Sequence, residues 1–394
     1  MINIEKEISD HIFRSATFEG MADNKGFPSE DYLQLYKKLA SNGVKNIITG
    51  FTYVSENGKA VHPGQAGIDS PEKVPYFRKI TDAVHEYEAR IYMQLAHAGR
   101  QTSERVTGHP VVGASNKRSS YFQSTPKELT ASEAGDIINS FADSAFYAKN
   151  AGFDGVQLHA AHGYLIHQFI HPYINDRKDE YGIDPGTGIG DRFLRQTVEA
   201  VRSRCGQDYP VLVKISASDD LPVKFSENNF ISLIKVLDEL KVSSIEISFG
   251  TMENALNIFR GNSVPADAVL DYNFRYGTKS IIKRNITKFA IMLFLKKDLI
   301  QFSNTYNLKY AVTAKKHTHI PVISVGGFRN GHDIYGAITS GSCDHVSLCR
   351  PFICEPDFMI RLKNDPEYIS ECSNCNYCAV MCDSPFSTKC CKHK

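Results

Sequence analysis

Two histidines and a tyrosine lie close together near the middle of the chain, in the segment LHAAHGY. His159 ends a short apolar run, and His162 and Tyr164 follow within five residues. An imidazole can donate a hydrogen bond to a developing oxyanion, and a phenol can give a proton to carbon. Barrel enzymes build their active sites just past the carboxyl ends of parallel strands. The spacing therefore predicts an enzyme site.

The elements that must position these side chains are short apolar strands that alternate with amphipathic helices. The clearest helix spans 131–149, because Thr130 and Glu133 form a capping-box pattern before apolar residues at helical spacing. Several strands are near-continuous β-branched runs, which is typical of strands buried on both faces. The predicted strands are 11–17, 44–49, 90–95, 153–158, 211–216, 243–248, 321–325 and 344–348. This alternation predicts an α/β fold, a (β/α)₈ TIM barrel, with a doubly wound sheet as the alternative.

The overall composition suits a large globular protein and excludes some partners. The chain has 394 residues, 42% of them hydrophobic, and a formal net charge of +1. This balance gives no general electrostatic reason to bind nucleic acid or an anionic membrane. No apolar run reaches the roughly 18 residues of a membrane span, and the N-terminus lacks a signal-peptide pattern. We therefore expect a cytoplasmic protein that binds no nucleic acid and has no membrane span.

Two long stretches interrupt the alternation before the C-terminal segment. Residues 97–128 form a polar loop after the third strand, and loops of that length in compact domains are usually functional. Residues 250–302 form an insertion after the sixth strand, which we interpret as a solvated amphipathic subdomain, with a lid or docking face for an acidic partner as the alternative. Its stretch 274–297 has no acidic residue and contains Arg275, Lys279, Lys283, Arg284, Lys288, Lys296 and Lys297.

Polar residues or glycines follow most of the predicted strands, where a cofactor could lie across the barrel mouth. Glycine lets backbone N–H groups approach a phosphate, and arginine supplies a bidentate cationic fork. Gly326 and Gly327 after the seventh strand, together with Arg350 after the eighth, match the common phosphate site of TIM barrels. The other strand ends carry Ser15, Ala16, Thr17, Gly50, Gln94 and Lys214.

These segments resemble the Old Yellow Enzyme family of FMN-dependent oxidoreductases. The likeness spans roughly residues 10–365 and is weakest over 250–310. Several long motifs in the same order make it specific. They are FRSATFEG (13–20), MQLAHAGRQ (93–101), GVQLHAAHGYLIHQFIHP (155–172), DEYG (179–182), DRFLRQTVEAVR (191–202), LVKISASD (212–219), VISVGGFRNG (322–331) and SLCRPFICEPDF (347–358).

For the cofactor, the resemblance implies FMN at the C-terminal mouth of the barrel. Thr17 would bond near the O4/N5 edge of the flavin, Gln94 would contact its pyrimidine ring, and Lys214 would face N1 and the C2 carbonyl. The resemblance implies a set of cofactor-binding residues of which the last three hold the phosphate: Ser15, Ala16, Thr17, Gly50, Gln94, Lys214, Gly326, Gly327 and Arg350.

For the substrate, the resemblance implies an α,β-unsaturated carbonyl compound. His159 and His162 would bind its carbonyl oxygen, hydride would pass from flavin N5 to the β-carbon, and Tyr164 would protonate the α-carbon. NAD(P)H or an electron-transfer protein would reduce the flavin, and we expect a homo-oligomer. The alternatives are an oxidative flavoenzyme of the amine-dehydrogenase type, an FMN/iron–sulfur electron carrier and a zinc-dependent barrel hydrolase.

The sequence departs from the family pattern at three positions. Lys214 stands where arginine is also common, and it keeps the charge without the planar fork. Cys349 stands where many relatives have glycine, and Glu19 replaces the aromatic residue that some relatives place over the substrate.

His167 and His171 have the i,i+4 spacing of a zinc pair without a third ligand, so we interpret them as structural.

The cysteines are concentrated at the C-terminal end of the chain. Six of the ten lie within the last 23 positions. Such clustering favours a metal or cluster site over a disulfide framework. The pattern C-x₂-C-x₂-C, followed by a fourth cysteine after twelve intervening residues, can ligate an iron–sulfur cluster, and structural zinc or free thiols are the alternatives. The four candidate ligands are Cys372, Cys375, Cys378 and Cys391.

The resemblance sharpens the interpretation of this segment. It is similar to the [4Fe–4S] segment in the family branch that includes 2,4-dienoyl-CoA reductase and trimethylamine dehydrogenase. A ferredoxin-like ligand set that uses Cys382 is the alternative. The prediction as a whole is an FMN-binding barrel over 1–365, interrupted by the 250–302 insertion, and a cysteine-rich iron–sulfur segment over 366–394.

Overall fold

Eight parallel strands close into a barrel in the computed structural model, which describes residues 8–262, 264–273, 280–294 and 299–391. The strands are β1 (Ile12–Arg14), β2 (Asn46–Ile48), β3 (Arg90–Ala96), β4 (Gly155–Ala160), β5 (Val211–Ser216), β6 (Ser244–Ser248), β7 (Val322–Val325) and β8 (His345–Leu348). Neighbours in chain order pair, and β1 also pairs with β8, with Ile12 opposite Val346. The closed ring confirms the predicted barrel and excludes the doubly wound sheet, which would leave two open edges.

Helices cover the outside of the barrel and leave the strands buried. Every residue of β4 and β5 is buried, as their near-continuous apolar sequences predicted. The described α-helices are α1 (Glu30–Ser41), α2 (Val74–His85), α3 (Glu104–Thr107), α4 (Ala131–Asn150), α5 (Leu165–Ile170), α6 (Arg192–Cys205), α7 (Glu227–Glu239), α8 (Ala255–Phe259), α9 (Ala266–Tyr272), α10 (Ile281–Phe294), α11 (Leu308–Lys315), α12 (Gly331–Thr339), α13 (Arg350–Cys354), α14 (Phe358–Asn364) and α15 (Tyr377–Met381). None of the helices in the described ranges combines the length and apolarity that crossing a bilayer requires.

Helix α4 begins where its capping sequence predicted. The Thr130 hydroxyl accepts a hydrogen bond from the Glu133 N–H at 3.2 Å, and the Glu133 carboxylate accepts from the Thr130 N–H at 2.9 Å. Such a reciprocal cap satisfies two backbone donors that the first turn leaves free, and losing a cap costs about 1 kcal/mol. The helix buries Ile137, Phe141 and Ala145 on one face, at the predicted spacing.

The loop after β3 is more ordered than a purely polar sequence suggests. It contains α3 and a two-stranded pair, Val112–Gly113 with Lys127–Glu128. The buried carboxylate of Glu253, which follows β6, accepts hydrogen bonds from Arg100 at 3.1 Å and from the Tyr121 N–H at 2.8 Å. This loop is therefore fastened to the segment after β6 by a buried charge pair.

The described part of the insertion after β6 contains a 3₁₀ helix (Met252–Asn254) and the helices α8, α9 and α10. Within it, Arg284 pairs with Asp271 at 2.6 Å and Lys288 with Asp267 at 2.7 Å, so these two cations are neutralised locally. The remaining predicted cation within the described residues, Lys283, lies at an exposed position on α10. The other cations of the predicted basic stretch lie outside the described residues; they are Arg275, Lys279, Lys296 and Lys297.

Candidate active site at the barrel mouth

A continuous cleft opens at the carboxyl ends of the barrel strands. Two adjoining cavities of about 890 and 560 Å³ form it, and they share walls made by Ala16, His162, Lys214, Cys349 and Arg350. The larger cavity extends toward Phe51, Tyr164 and the C-terminal segment, and the smaller one extends toward the turn after β7. Most of the predicted site residues, from six different strands, therefore meet at one end of the barrel.

A tight turn after β4 brings the two predicted histidines together. His162 has a φ of +61° and Gly163 a φ of +81°, so the chain turns sharply after the strand. The ring centroids of His159 and His162 are 5.1 Å apart, and those of His159 and Tyr164 are 4.7 Å apart. The three residues, which are close in sequence, thus form a compact triad that lines the larger cavity.

Both imidazoles of this triad are neutral and can still donate hydrogen bonds. Burial holds the pKa of His159 and His162 well below the usual value of a histidine, and the nearby cation of Lys214 adds to the effect. His162 Nε2 lies 2.8 Å from the hydroxyl of Ser248. His159 Nδ1 is buried and has no hydrogen-bond partner among the described residues.

Tyr164 lies beside the histidines in an aromatic wall. Its ring packs against Phe51 with centroids 5.4 Å apart, and the side chain is almost fully buried. Burial raises the pKa of the Tyr164 phenol, and the neighbouring Asp383 and Cys382 raise it further. The phenol is therefore protonated at neutral pH and is a competent proton donor.

A network of buried polar side chains lies beneath the middle of the cleft. Gln94 Nε2 donates to Gln157 Oε1 at 2.7 Å, and Gln157 Nε2 donates to Glu246 Oε2 at 2.9 Å. Lys214 Nζ donates to the Ser15 hydroxyl at 3.0 Å and lies 3.3 Å from Glu246 Oε2. The sequence analysis missed Glu246 and Gln157. A glutamate between Ile245 and Ile247 in an otherwise apolar strand was the available signal for the first.

The turn after β7 forms the far end of the cleft, where the predicted phosphate site lies. Gly327 has a φ of +86°, and a Cβ atom there would lie 2.4 Å from the Thr305 nitrogen, so only glycine fits. Gly326, with a φ of +127°, lines the same cavity. Arg350 donates to the Asn376 side chain and to the Arg260 carbonyl, each at 3.1 Å.

A second arginine reaches this end of the cleft. Arg329 lines the same cavity as Arg350, and its guanidinium donates to the Asn374 side chain at 2.9 Å. Burial, together with the like charge of Arg350, lowers the pKa of Arg329 to about 10. A bound anion would relieve both effects. The sequence analysis quoted the motif that contains Arg329 without assigning it a role.

Two predicted cofactor residues do not line the cleft. The buried Ser15 hydroxyl donates to Glu246 at 2.5 Å, and the Gly50 N–H donates to Glu19 Oε1 at 2.6 Å. The carboxylate of Glu19 also accepts from Tyr36 and lies 4.0 Å from Arg14. Glu19 therefore points into the protein and not over the substrate end of the cleft. The other two residues of the SAT segment, Ala16 and Thr17, do line the cleft.

The C-terminal segment supplies the wall opposite the barrel strands. This tail wall consists of Cys378, Ala379, Cys382, Asp383 and Thr388, which all line the larger cavity. Asp383 pairs with His62 at 3.0 Å, and the Thr388 N–H donates to the Glu19 carbonyl at 2.8 Å. The tail thus crosses the barrel mouth and encloses the space in front of Tyr164.

A third cavity, of about 370 Å³, lies behind the tail and shares Arg350 with the cleft. Six sulfur-bearing side chains line this sulfur cavity: Cys354, Cys372, Cys375, Cys378, Cys390 and Cys391. In the described ranges, no three histidine, cysteine or acidic side chains are held in a metal-ligating arrangement. Cys390 Sγ lies 3.9 Å from Cys354 Sγ, and Cys391 Sγ lies 3.1 Å from Met381 Sδ. Cys382 belongs to the tail wall and is absent from the lining of the sulfur cavity.

The pair of histidines with zinc-like spacing has a structural environment. His171 and Asp219 are fully buried and bond at 2.8 Å, and Asp219 also accepts from the Leu221 and Phe225 N–H groups. His167 Nδ1 accepts from the Gly163 N–H at 2.9 Å. These bonds tie the turn after β4 to the loop after β5, in keeping with the structural interpretation.

Comparison with known proteins places this geometry in a family. A model of the NADH:flavin oxidoreductase / NADH oxidase family matches residues 4–263. The NADH oxidase of Thermoanaerobacter brockii is 30% identical over 90% of this chain and 49% of its own length. The NADPH dehydrogenase of Clostridium acetobutylicum is 33% identical over 87% of this chain and 88% of its own length.

A solved structure agrees with the sequence relatives. The old yellow enzyme homologue from Zymomonas mobilis superposes with a TM-score of 0.68 at 26% identity, and the match covers 91% of this chain and 90% of that one. The chain spans about half the length of the first curated relatives that it matches. The barrel, the cleft and these similarities together show that the chain belongs to the NADH:flavin oxidoreductase / NADH oxidase family.

Proposed function

We propose that this protein is an FMN-dependent oxidoreductase that reduces the activated C=C bond of an α,β-unsaturated carbonyl compound. The observation that carries the proposal is the pairing of two chemistries in one cleft. Two neutral imidazoles and a protonated phenol lie at one end, and a glycine turn with two arginines lies at the other. The cleft would hold a flavin nucleotide with its phosphate at the glycine turn and its ring toward the histidines.

The residues at the phosphate end and in the middle of the cleft fit FMN. Gly326 and Gly327 leave space for a phosphate beside the backbone, and Arg329 and Arg350 supply cations that face the same cavity. Lys214 supplies a positive charge beneath the middle of the cleft. When bound there, FMN supplies the hydride that no side chain of the protein could provide. Ser15 and Gly50 act from behind the wall, through Glu246 and Glu19 respectively.

The residues at the substrate end bind and polarise a carbonyl group. His159 is neutral and lines the larger cavity, so its imidazole would donate a hydrogen bond to a substrate oxygen. His162, held by Ser248, lines the same cavity and would donate to the same oxygen. Two neutral donors stabilise the developing enolate oxygen in a buried site, and Tyr164 delivers its proton to the α-carbon.

We also propose that the sulfur cavity holds a [4Fe–4S] cluster on Cys372, Cys375, Cys378 and Cys391. All four line one cavity beside the cleft, and Arg350, Ile353 and Cys378 lie between the two spaces. Burial raises the pKa of the Cys378 thiol to about 12, a cost that a bound metal cluster would remove by binding the thiolate. The cluster would pass single electrons to or from a partner protein.

Iron and sulfide analysis of anaerobically purified protein tests the cluster directly. We expect about four iron and four sulfide per chain, and a Cys375→Ser variant that loses both while it keeps FMN. Zinc without sulfide, or neither metal, would contradict the cluster and leave the flavin proposal standing. Cys382→Ser, in the tail wall, is the matched control and should retain the iron.

The flavin reaction is tested by anaerobic mixing. NADH or NADPH should bleach the bound flavin, and a simple cyclic enone should then restore its absorbance with one saturated ketone formed per flavin. If an amine bleaches the oxidised flavin and enones leave the reduced flavin unchanged, the oxidative alternative is correct. If neither compound reacts while the flavin remains reducible, the protein is an electron carrier. The cytoplasmic location and the homo-oligomeric state remain predictions.

A further inference from the structure

A fully buried carboxylate lies beneath the cleft, next to the lysine of the proposed flavin site. Glu246 lies on β6 and is fully buried. Its oxygens accept hydrogen bonds from Ser15 at 2.5 Å, Ser347 at 2.6 Å and Gln157 at 2.9 Å, and Lys214 lies 3.3 Å away. A buried charge is stable only when it is paired and hydrogen-bonded in this way. Glu246 is therefore held as an anion, because each of these neighbours offers it a hydrogen bond or a positive charge.

The negative charge of Glu246 fixes the orientation of two amides. A carboxylate only accepts, so Gln157 must direct its NH₂ group to Glu246 and its oxygen to the Gln94 NH₂ group. The side-chain oxygen of Gln94 is then left as an acceptor at the cleft. Such an acceptor suits the N–H of a flavin pyrimidine ring. Through Gln157, Glu246 thereby orients the side chain of Gln94, which it does not contact.

The same carboxylate positions and partly neutralises the lysine of the flavin site. Lys214 is buried; its ammonium donates a hydrogen bond to Ser15 and lies 3.3 Å from Glu246, behind the wall of the cleft. Because Lys214 also lines the cleft, its ammonium can contact a ligand there. The bound flavin therefore faces a lysine–glutamate pair and not an isolated cation.

We propose that Glu246 sets the reduction potential of the bound flavin by holding Lys214 and compensating its charge. A hydride equivalent adds two electrons and one proton to the ring and leaves one negative charge, while no bond of the protein forms or breaks. An isolated cation would stabilise that charge strongly and make the reduced flavin a weak donor. A compensated cation stabilises it less, so the potential stays low and hydride transfer to an acceptor is favoured.

Anaerobic dye-equilibration titration of the holoenzyme measures this effect. Glu246→Gln keeps the shape of the side chain and removes its charge, so Lys214 becomes uncompensated. We expect the equilibrium constant for two-electron reduction to rise at least tenfold, which is about 30 mV for a two-electron couple. The ratio of the FMN dissociation constants of the oxidised and reduced forms should rise by the same factor, as measured by equilibrium dialysis with reoxidation of the released flavin before its fluorescence is read.

Two further variants separate the charge from the hydrogen bonds. Ser347→Ala removes one hydrogen bond to Glu246 without changing any charge. Its equilibrium constant for two-electron reduction should stay within about twofold of the wild-type value. Lys214→Met combined with Glu246→Gln removes both charges and should return the potential toward the wild-type value. This neutral pair also keeps the test usable if Glu246→Gln alone does not fold.

Two outcomes overturn the proposal. A Glu246→Gln potential equal to or below that of the wild type would show that the carboxylate does not compensate Lys214. A neutral double variant that falls tenfold or more below the wild-type equilibrium constant would show that Lys214 acts as an uncompensated cation. Both outcomes are equilibrium constants for reduction of the bound flavin, so they do not depend on which organic substrate the enzyme reduces.

Discussion

The barrel strands and the tail form opposite walls of one cleft, and they differ in how completely their polar groups are satisfied. On the barrel wall, Gln94, Gln157, Glu246 and Lys214 are linked in one continuous network. On the tail wall, the partly exposed Asp383 pairs with His62 and accepts a hydrogen bond from Asn273 at 2.8 Å, and Cys390 and Cys391 behind it contact other sulfur atoms. The fold alone orients the polar side chains of the barrel wall, whereas the thiols of the sulfur cavity are not held in a metal-ligating arrangement in the described residues.

The largest effect that we predict comes from the proton donor on the barrel wall. Tyr164→Phe should slow enone reduction by roughly 10²–10⁴-fold, because a phenyl ring cannot protonate carbon. Reduction of the flavin by NAD(P)H should change little, since that step needs no proton from Tyr164. Stopped-flow absorbance follows the two half-reactions separately. A quinone, which needs no protonation at carbon, is the control oxidant, and equal slowing with quinone and enone would contradict the role of Tyr164.

The second effect concerns the phosphate end. Gly327→Ala places a Cβ atom 2.4 Å from a backbone nitrogen at a φ of +86°, so the turn must shift. We expect FMN affinity to fall by about one to two orders of magnitude, the equivalent of roughly 1–3 kcal/mol of backbone strain. Equilibrium dialysis of FMN against the apoprotein measures it. Gly336→Ala, in α12, where a Cβ meets nothing within 4 Å, is the matched control, and equal losses in both variants would remove the argument.

Acid should destabilise the barrel wall through its buried histidines. Burial lowers the pKa of His97 and His167 to about 3, and that of His159 and His162 well below its usual value. The unfolded chain binds these protons below about pH 6.5, whereas the folded protein does not, so their contribution is complete above that pH and falls below it. The apparent melting temperature should therefore drop between pH 6.5 and 4.5. A constant melting temperature over that range would show that the imidazoles are not buried in the neutral form.

The smallest effect that we predict lies on the tail wall. Asp383→Asn removes the charge that pairs with His62, and Asp383 is 20% exposed, so the pair contributes only about 0.2–1 kcal/mol. We expect a KM for the enone raised by at most about fivefold, with FMN binding unchanged. Steady-state kinetics and the flavin spectrum provide both readouts. Loss of FMN in this variant would mean that the tail holds the cofactor and that the contrast between the walls is wrong.

The barrel wall could largely be predicted from the sequence, and the reason is geometric. In parallel strands, local apolar runs define the ends, so residues such as His159, Gln94 and Lys214 follow from position alone. Glu246 was missed because a single charge in an apolar strand does not reveal its partners. The contact between His62 and Asp383 joins positions more than 300 residues apart. Such a long-range contact produces no local pattern in the sequence from which it could be predicted. The same holds for the orientation of the Glu19 side chain into the protein.

The most direct test of the proposed reaction is a single-turnover experiment. Enzyme reduced anaerobically with one equivalent of NAD(P)H is mixed with 2-cyclohexen-1-one, and the flavin spectrum and the ketone product are followed together. The account predicts full return of oxidised flavin with one equivalent of cyclohexanone, and a rate that falls at least a hundredfold in Tyr164→Phe. Reduced flavin that persists in the presence of the enone, in protein whose flavin a quinone readily oxidises, would contradict it.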